Sequence, residues 1–209
     1  MSPNERLMRD AVTLGVQLTA EDATRLMALL GELARWNRTY NLTAITAPAE
    51  MVTHHLLDSL AIQPDVAGER IADVGTGAGF PGLPLALVNP TRDFTLIDSS
   101  GKKIRFLQHA VRALGLSNVT ALQTRVETFQ PAVPFDSVIA RAFAPLPVML
   151  ERAGHLCARD GRVLAMKGRW PEQELERLPA PWEVERSRTL AIPGLAEERC
   201  LLVLRRLPR

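Results

Sequence analysis

Apolar positions recur with two different periods along this chain, and the change falls near Arg70. Before it the spacing is three and four. Ala23, Leu26, Met27, Leu30, Leu33 and Ala34 form the stripe of an amphipathic helix. Thr19 stands where an N-cap belongs, with Glu21 and Asp22 in the first turn, and the pattern fades between Trp36 and Tyr40. Asn41-Leu42-Thr43 reads as a connection. A further helix is expected from about Pro48, through Met51, Val52, His55, Leu56 and Leu60, closed by Pro64 and Gly68. No strand pattern precedes Arg70, so residues 1–65 are expected to form a helical extension.

From Arg70 onward short apolar runs alternate with helical stripes. Strands are expected over residues 71–74, 93–97, 119–122, 135–140 and 162–166. Between them lie predicted helices over residues 83–88, over a stripe of Ile104, Leu107, Val111 and Leu114 stopped by Gly115, and over residues 147–157 and 171–178. Two last strands, residues 183–190 and 199–204, are joined without a helical stripe, so they should pair antiparallel. Alternating strands and helices imply a parallel sheet with helices on both faces. Residues 66–209 are therefore expected to form a seven-strand mixed α/β sheet of Rossmann-like type.

Composition narrows the class rather than the function. The chain has 209 residues, 46% hydrophobic and 23% charged, as in ordinary globular proteins. Its net charge of +2 gives no global polybasic signal, so nucleic-acid affinity would need a local patch. The two cysteines, Cys157 and Cys200, make no metal-binding spacing and read as core thiols in a reducing, cytoplasmic setting. No signal peptide and no membrane span is expected, and a monomer is the default.

The candidate chemistry begins at Ile71-Ala-Asp-Val-Gly-Thr-Gly-Ala-Gly-Phe-Pro-Gly82. A strand feeding a glycine-rich turn and then a helix brings backbone N–H groups against a ligand. Two ligands fit the pattern. From Gly77 the run matches the dinucleotide fingerprint, with Asp98 about the expected ~20 residues further on, which would make a nicotinamide oxidoreductase. From Asp73 it is acid-x-Gly-x-Gly-x-Gly, as in S-adenosylmethionine methyltransferases. A carboxylate before the glycines suits the ammonium of that ligand's amino-acid tail better than a pyrophosphate, and the methyltransferase reading leads.

Asp98 ends the second strand and can accept both hydroxyls of a ribose. Glu127, in Arg125-Val126-Glu127, can read an adenine edge or be a solvated loop acid. Arg141 ends the fourth strand, where substrate and cofactor meet; a structural ion pair is the competing role. Lys102 and Lys103 open a helix against its dipole, which points to an anionic partner, and Lys167 and Arg169 follow the fifth strand on the same rim. Arg35, Arg38 and Arg112 are candidates to extend it. Such a rim favours RNA, with salt-dependent affinity. The adjacent His54 and His55 point about 100° apart on a helix and do not converge on a metal ion. Neither cysteine is placed as a nucleophile for methylation at a pyrimidine carbon. Arg141-Ala142-Phe143-Ala144 stands where amine methyltransferases carry Asn/Asp-Pro-Pro-aromatic. A guanine N7 has a free lone pair, so its methylation needs no general base and rests on placement of the reactants.

These motifs together resemble the RsmG family, also called glucose-inhibited division protein B. The pieces are Trp36-Asn37 with Tyr40-Asn41-Leu42-Thr43, His55 with Asp58-Ser59, Asp73-Val74-Gly75-Thr76-Gly77, Phe80-Pro81-Gly82 and Leu96 with Asp98-Ser99. Lys102-Lys103 with Phe106-Leu107, Arg125-Val126-Glu127, Arg141-Ala142 and Lys167-Gly168 complete them. The resemblance covers nearly the whole chain. It implies a Rossmann-like class I methyltransferase that transfers a methyl group from S-adenosyl-L-methionine to N7 of guanine 527, in the 530 loop of 16S ribosomal RNA, releasing S-adenosyl-L-homocysteine. It implies contacts to the methyl donor from Gly75, Gly77, Phe80, Val126, Glu127 and Arg141, with Asp98 near the ribose. RNA would cross the rim of Lys102, Lys103, Lys167 and Arg169. No catalytic base and no metal are expected, Arg141 having at most an orienting role. A non-catalytic RNA-binding assembly factor of the same fold is the remaining alternative.

Overall fold

The computed structural model describes residues 1–207. Helix α1 (Pro3–Thr13) and helix α2 (Ala20–Tyr40) each open on a reciprocal cap. Ser2 exchanges hydrogen bonds with Glu5, and Thr19 with Asp22, satisfying two otherwise orphaned donors at each helix start. Asn41, at φ 47°, ends α2 in the left-handed conformation, with its N–H on the Asn37 carbonyl. The helix expected from Pro48 is interrupted. A short α3 (Pro48–Met51) runs into a π-helical turn (Val52–Leu57) and then α4 (Asp58–Leu60), so the Asp58 N–H reaches back to the Thr53 carbonyl. Wide turns of this kind are frequent at functional sites.

The sheet has seven strands: β1 (Arg70–Val74), β2 (Asp93–Asp98), β3 (Val119–Gln123), β4 (Phe135–Arg141), β5 (Cys157–Lys167), β6 (Trp182–Thr189) and β7 (Cys200–Arg206). Their order is β3-β2-β1-β4-β5-β7-β6, with only the pairs β5–β7 and β6–β7 antiparallel. The chain winds from β1 toward β3, then returns to the other side of β1 with β4. A crevice therefore opens above the C-terminal ends of β1 and β4, the place where such sheets bind ligands.

Alternation along the strands supplies both cores. Ile71, Leu96, Ile139 and Leu164 face one way, against α1, α2, α5 (Gly82–Val88) and α6 (Gly101–Ala113). Ala72, Val74, Ile97, Val138 and Ala140 face the other, against α7 (Leu146–Ala153) and Trp182. The N-terminal helices thus share one apolar core with the sheet. The period of two also turns Asp73 to the face covered by α5, below the loop rather than into solvent.

Three further elements differ from the sequence expectation. The helix expected over residues 147–157 stops at Ala153, a 3-10 turn follows, and Cys157 begins β5, paired with Phe135. The sheet extends over Arg159-Asp160-Gly161 by an irregular register, with no room for a Cβ at Gly161, 2.8 Å from the Asp136 carbonyl oxygen. The helix expected over residues 171–178 is the single turn α8 (Glu172–Leu175), because Pro179 and Pro181 follow and disfavour helical backbone before them. Both cysteines are buried and unpaired at strand starts, and burial pushes the Cys157 thiol up to about 12.

Candidate active site

The glycine loop is organised by Asp73. Its carboxylate is fully buried, and one oxygen, Oδ2, accepts from Thr76 Oγ1 at 2.6 Å and from the Gly82 N–H at 2.8 Å. The other oxygen has no hydrogen-bond partner. Burial raises its pKa to about 6, against the opposing pull of Thr76, Gly82 and Arg141. Asp73 therefore ties the loop to the start of α5 from below. Its carboxylate occupies the helix N-terminus that a pyrophosphate would need, which removes the basis for the dinucleotide reading.

Above the loop the backbone is shaped for a ligand. Gly75, Gly77 and Gly79 have φ of 65°, 64° and 91°, open to glycine and strained for other residues. A Cβ at Gly77 would meet nothing within 4 Å, so the strand-to-helix turn is exposed there to an incoming molecule. Asp98 is 7% exposed, and both oxygens accept: Oδ2 from the Gly77 N–H at 3.0 Å and from Lys103 Nζ at 3.3 Å, and Oδ1 from the Ser100 N–H at 2.8 Å, which leaves Oδ1 capacity for a further donor. Gly75, Asp98, Lys103, Val126, Glu127 and Phe143 line a cleft of about 440 Å³. Glu127 has only an exposed ion pair with Arg152 at 3.4 Å, of little energetic weight, and is available to a ligand.

A second cleft, of about 400 Å³, lies on the other side of the β4 terminus and includes His55, Asp58, Arg141, Lys167 and Arg199 in its walls. Ala142 lines both clefts, at φ 51°, a left-handed conformation that costs a non-glycine residue about 1–2 kcal/mol. Strain of this kind at the meeting point of two cavities marks a positioned segment. Arg141 is fastened there: Nη1 donates to the His54 carbonyl at 3.0 Å and to Asp58 Oδ2 at 2.9 Å.

Phe80 does not contribute a face to the first cleft. It is buried, stacked on the His55 ring at 4.7 Å between centroids, with the Arg141 guanidinium 6.0 Å from its own centroid. The Asn-Leu-Thr connection explains the orientation of that histidine. Asn37 Oδ1 accepts from the N–H groups of Leu42 and Thr43, its amide donates to the Thr43 carbonyl, and Thr43 Oγ1 meets His55 Nε2 at 3.2 Å. Burial and the Arg141 charge push His55 down to about 4, so it is neutral at physiological pH and a weak base.

The cationic residues divide. Lys103 belongs to the first cleft through Asp98. Lys167 is mostly covered, held by the Ala144 carbonyl at 2.9 Å and Glu174 at 2.8 Å, and reaches the second cleft. Lys102 caps the end of α2 through the Tyr40 carbonyl at 3.1 Å and stays exposed, as do Arg169 and its neighbour Trp170, which is 52% exposed. Among the described residues no group of three or more His, Cys, Asp or Glu is arranged to hold a metal ion. No helix among them is long and apolar enough to cross a membrane.

Sequence reasoning alone leaves His55 a packed residue and gives Asp58 and Arg199 no role. The His55-x-x-Asp58 spacing, one turn apart on a helix, is the available signal for the first two. Nothing in the sequence pairs Arg199 with them.

The strand order, the crevice and the glycine loop define a class I S-adenosylmethionine-dependent methyltransferase fold. Solved structures of that class superpose on most of the chain. A magnesium protoporphyrin IX methyltransferase from Synechocystis with bound S-adenosylmethionine matches at TM-score 0.59, 17% identity, 83% of this chain and 90% of its own. TrmN from Thermus thermophilus matches at TM-score 0.57, 22% identity, 75% of this chain and 53% of its own.

Within this class the family is specific. The model of rRNA small subunit methyltransferase G, GidB, matches residues 22–203. A ribosomal RNA small subunit methyltransferase G of Saccharophagus degradans is 49% identical over 95% of this chain and 89% of its own. One of Psychromonas ingrahamii is 44% identical over 99% of this chain and 100% of its own. The chain belongs to the rRNA small subunit methyltransferase G family, and is a methyltransferase of ribosomal RNA.

Proposed function

We propose that the protein methylates N7 of a guanine in 16S ribosomal RNA, guanine 527 of the 530 loop, with S-adenosyl-L-methionine as donor and S-adenosyl-L-homocysteine as product. The single observation that carries this reading is that two clefts meet at Arg141-Ala142, the first lined by Asp98 and Glu127 and the second by the cations Arg141, Lys167 and Arg199. His55 is held neutral well below its ordinary range and is a weak base, and Arg141 pairs with Asp58 through Oδ2. A reaction at an amine or at carbon has a proton to remove; attack by the guanine N7 lone pair has none.

The first cleft fits the donor. Asp98 offers carboxylate oxygens at the end of β2 for ribose hydroxyls, Gly75 and Gly77 leave backbone open, and Val126 and Glu127 supply an apolar wall and an acid for an adenine edge. The donor supplies an electrophilic methyl on a sulfonium. Arg141, fixed on two sides, orients the groups that meet at the junction, and proximity of this kind accounts for up to ~7–11 kcal/mol of barrier lowering. Lys102, Lys103, Lys167 and Arg169 form the RNA-facing rim. The enzyme works as a cytoplasmic monomer on the small ribosomal subunit or its RNA.

The test is transfer of labelled methyl from S-adenosylmethionine to small subunits from cells lacking the enzyme, followed by mapping of the product. Label at N7 of one guanine is expected. Label on an amine, on carbon or on protein overturns the proposal, and RNA binding without transfer would favour a non-catalytic assembly factor.

A further inference from the structure

The second cleft holds two buried polar atoms without a hydrogen-bond partner among the described residues. Asp58 is 2% exposed and commits only Oδ2, to Arg141 at 2.9 Å; Oδ1 has no hydrogen-bond partner. Arg199 Nε stands 3.4 Å from Oδ1, an ion pair without a directed hydrogen bond. His55 is 6% exposed, and its Nδ1 likewise lacks a hydrogen-bond partner of normal geometry among the described residues, the His54 backbone being its nearby polar neighbour. A buried polar atom without a partner costs stability and calls for an explanation. Two of them, one helical turn apart on the wall of one cavity, call for a shared one.

Asp58 Oδ1 is an acceptor. Thr43 Oγ1 accepts from the Ile45 N–H at 3.1 Å and lies 3.2 Å from His55 Nε2; we assign its proton to that contact, with Nε2 as the acceptor. Assigned from this network, the neutral imidazole carries its hydrogen on Nδ1, as a donor. The wall therefore presents a donor beside a carboxylate acceptor. On a purine, positions 6 and 1 of guanine present an acceptor, O6, beside a donor, N1–H. Adenine presents the reverse, an amine beside an unprotonated nitrogen.

We propose that His55 Nδ1–H and Asp58 Oδ1 read O6 and N1–H of the target guanine, making the second cleft its specificity pocket. This inference rests on the proposed guanine methylation. It keeps N7, on the opposite side of the ring system from N1, free to face the Arg141-Ala142 junction. Both atoms are covered. Arg199, on the connection between β6 and β7 with its side chain 24% exposed and held by Asp58 and the Glu198 carbonyl, is the cover that a base displaces. Its guanidinium then lies at the cleft mouth, where the phosphates of the extruded nucleotide pass.

The test uses small subunits reconstituted with 16S RNA carrying either guanine or 2,6-diaminopurine at the methylated position. Diaminopurine keeps N7 and the 2-amine but reverses the polarity at positions 6 and 1. Wild-type enzyme should prefer guanine in kcat/KM by roughly 10- to 150-fold, the range for a missing hydrogen bond to a charged group. In Asp58→Asn the amide oxygen remains for Arg141 and the amine replaces Oδ1. The guanine-to-diaminopurine ratio should then fall by roughly 10-fold or more. His55→Phe keeps the stack on Phe80 and should narrow the ratio as well, which tests the pocket even where Asp58→Asn does not fold. Any effect of diaminopurine on the subunit itself is common to all three enzymes and cancels in the comparison. Equal use of both bases by wild type, or an unchanged ratio in a folded variant, overturns the inference. Failure of wild type to label guanine N7 overturns the underlying function instead.

Discussion

Asp73→Asn isolates the electrostatics of the glycine loop. Both native hydrogen bonds, from Thr76 Oγ1 and the Gly82 N–H, fall on the same carboxylate oxygen, so the amide oxygen of asparagine can accept both. The amine then occupies the place of the unpartnered Oδ1, and geometry is preserved while charge is removed. In the folded protein burial raises the Asp73 pKa from an ordinary 3.8 to about 6. A carboxyl whose folded pKa lies above its unfolded value contributes most below the unfolded pKa. Its contribution falls as pH rises through the window from 3.8 to about 6. The folded protein thus loses about 3 kcal/mol across that window from this one group, at ~1.36 kcal/mol per pH unit. The asparagine variant does not titrate there. Urea unfolding of both proteins between about pH 4 and pH 8 gives two stability curves, and in their difference every other titrating group cancels. The variant is expected to gain on wild type by about 3 kcal/mol as pH rises, reaching a plateau above the folded pKa. A flat difference, or wild type gaining on the variant, would refute the reasoning. It would show that charge strengthens the bonds to Thr76 and Gly82 by more than burial costs.

Three further outcomes follow from the site. Asp98→Ala removes the acceptor of the Gly77 and Ser100 N–H groups and a ribose ligand; calorimetric titration should show S-adenosylmethionine affinity reduced by roughly 10²-fold, at ~1.5–3 kcal/mol per hydrogen bond to a charged group. Unchanged affinity would remove Asp98 from the donor site. Arg141→Ala leaves Asp58 buried with Arg199 as its remaining ion-pair partner, so the protein should fold with about 3 kcal/mol less stability, the low end of the ~3–5 kcal/mol for a broken buried pair, and lose most of its activity, read by urea unfolding and methyl transfer. Full activity would deny Arg141 a place at the junction. Lys102→Ala and Arg169→Ala should each weaken RNA binding. Each should also lower the slope of log affinity against log salt by about 1 for every phosphate the side chain neutralises, measured by filter binding across salt concentrations. An unaltered slope would take both residues out of the RNA path.

Much of the architecture is legible from periodicity. The shift from a spacing of three and four to short apolar runs at Arg70 separates helices from strands, because a helix and a pleated strand bury different registers of side chains. The seven strands, their mixed pairing and the glycine loop follow from it. Boundaries are less legible where tertiary pairing overrides local preference. Cys157 sits in a sequence suited to a helix end, yet Phe135 offers it a strand partner and β5 extends back to take it. The π turn over Val52–Leu57 has no sequence mark of its own, since its residues suit an ordinary helix.

The chemistry divides in the same way. Residues borne on contiguous motifs, Gly75 on the loop and Asp98 at a strand end, line one cleft because strand and loop geometry carry them there. The place of Asp73 in the motif suggests the ligand's ammonium as its partner, but the pleat turns it toward α5 and makes it the loop's anchor. The second cleft joins His55 and Asp58 at the π turn, Arg141 on β4 and Arg199 before β7, four residues spread over more than half of the chain. No local spacing encodes their meeting. The amino-acid order alone determined the layers, the loop and the family. Which polar atoms were left unpaired beside it was decided only by folding, because that depends on partners brought together from distant elements.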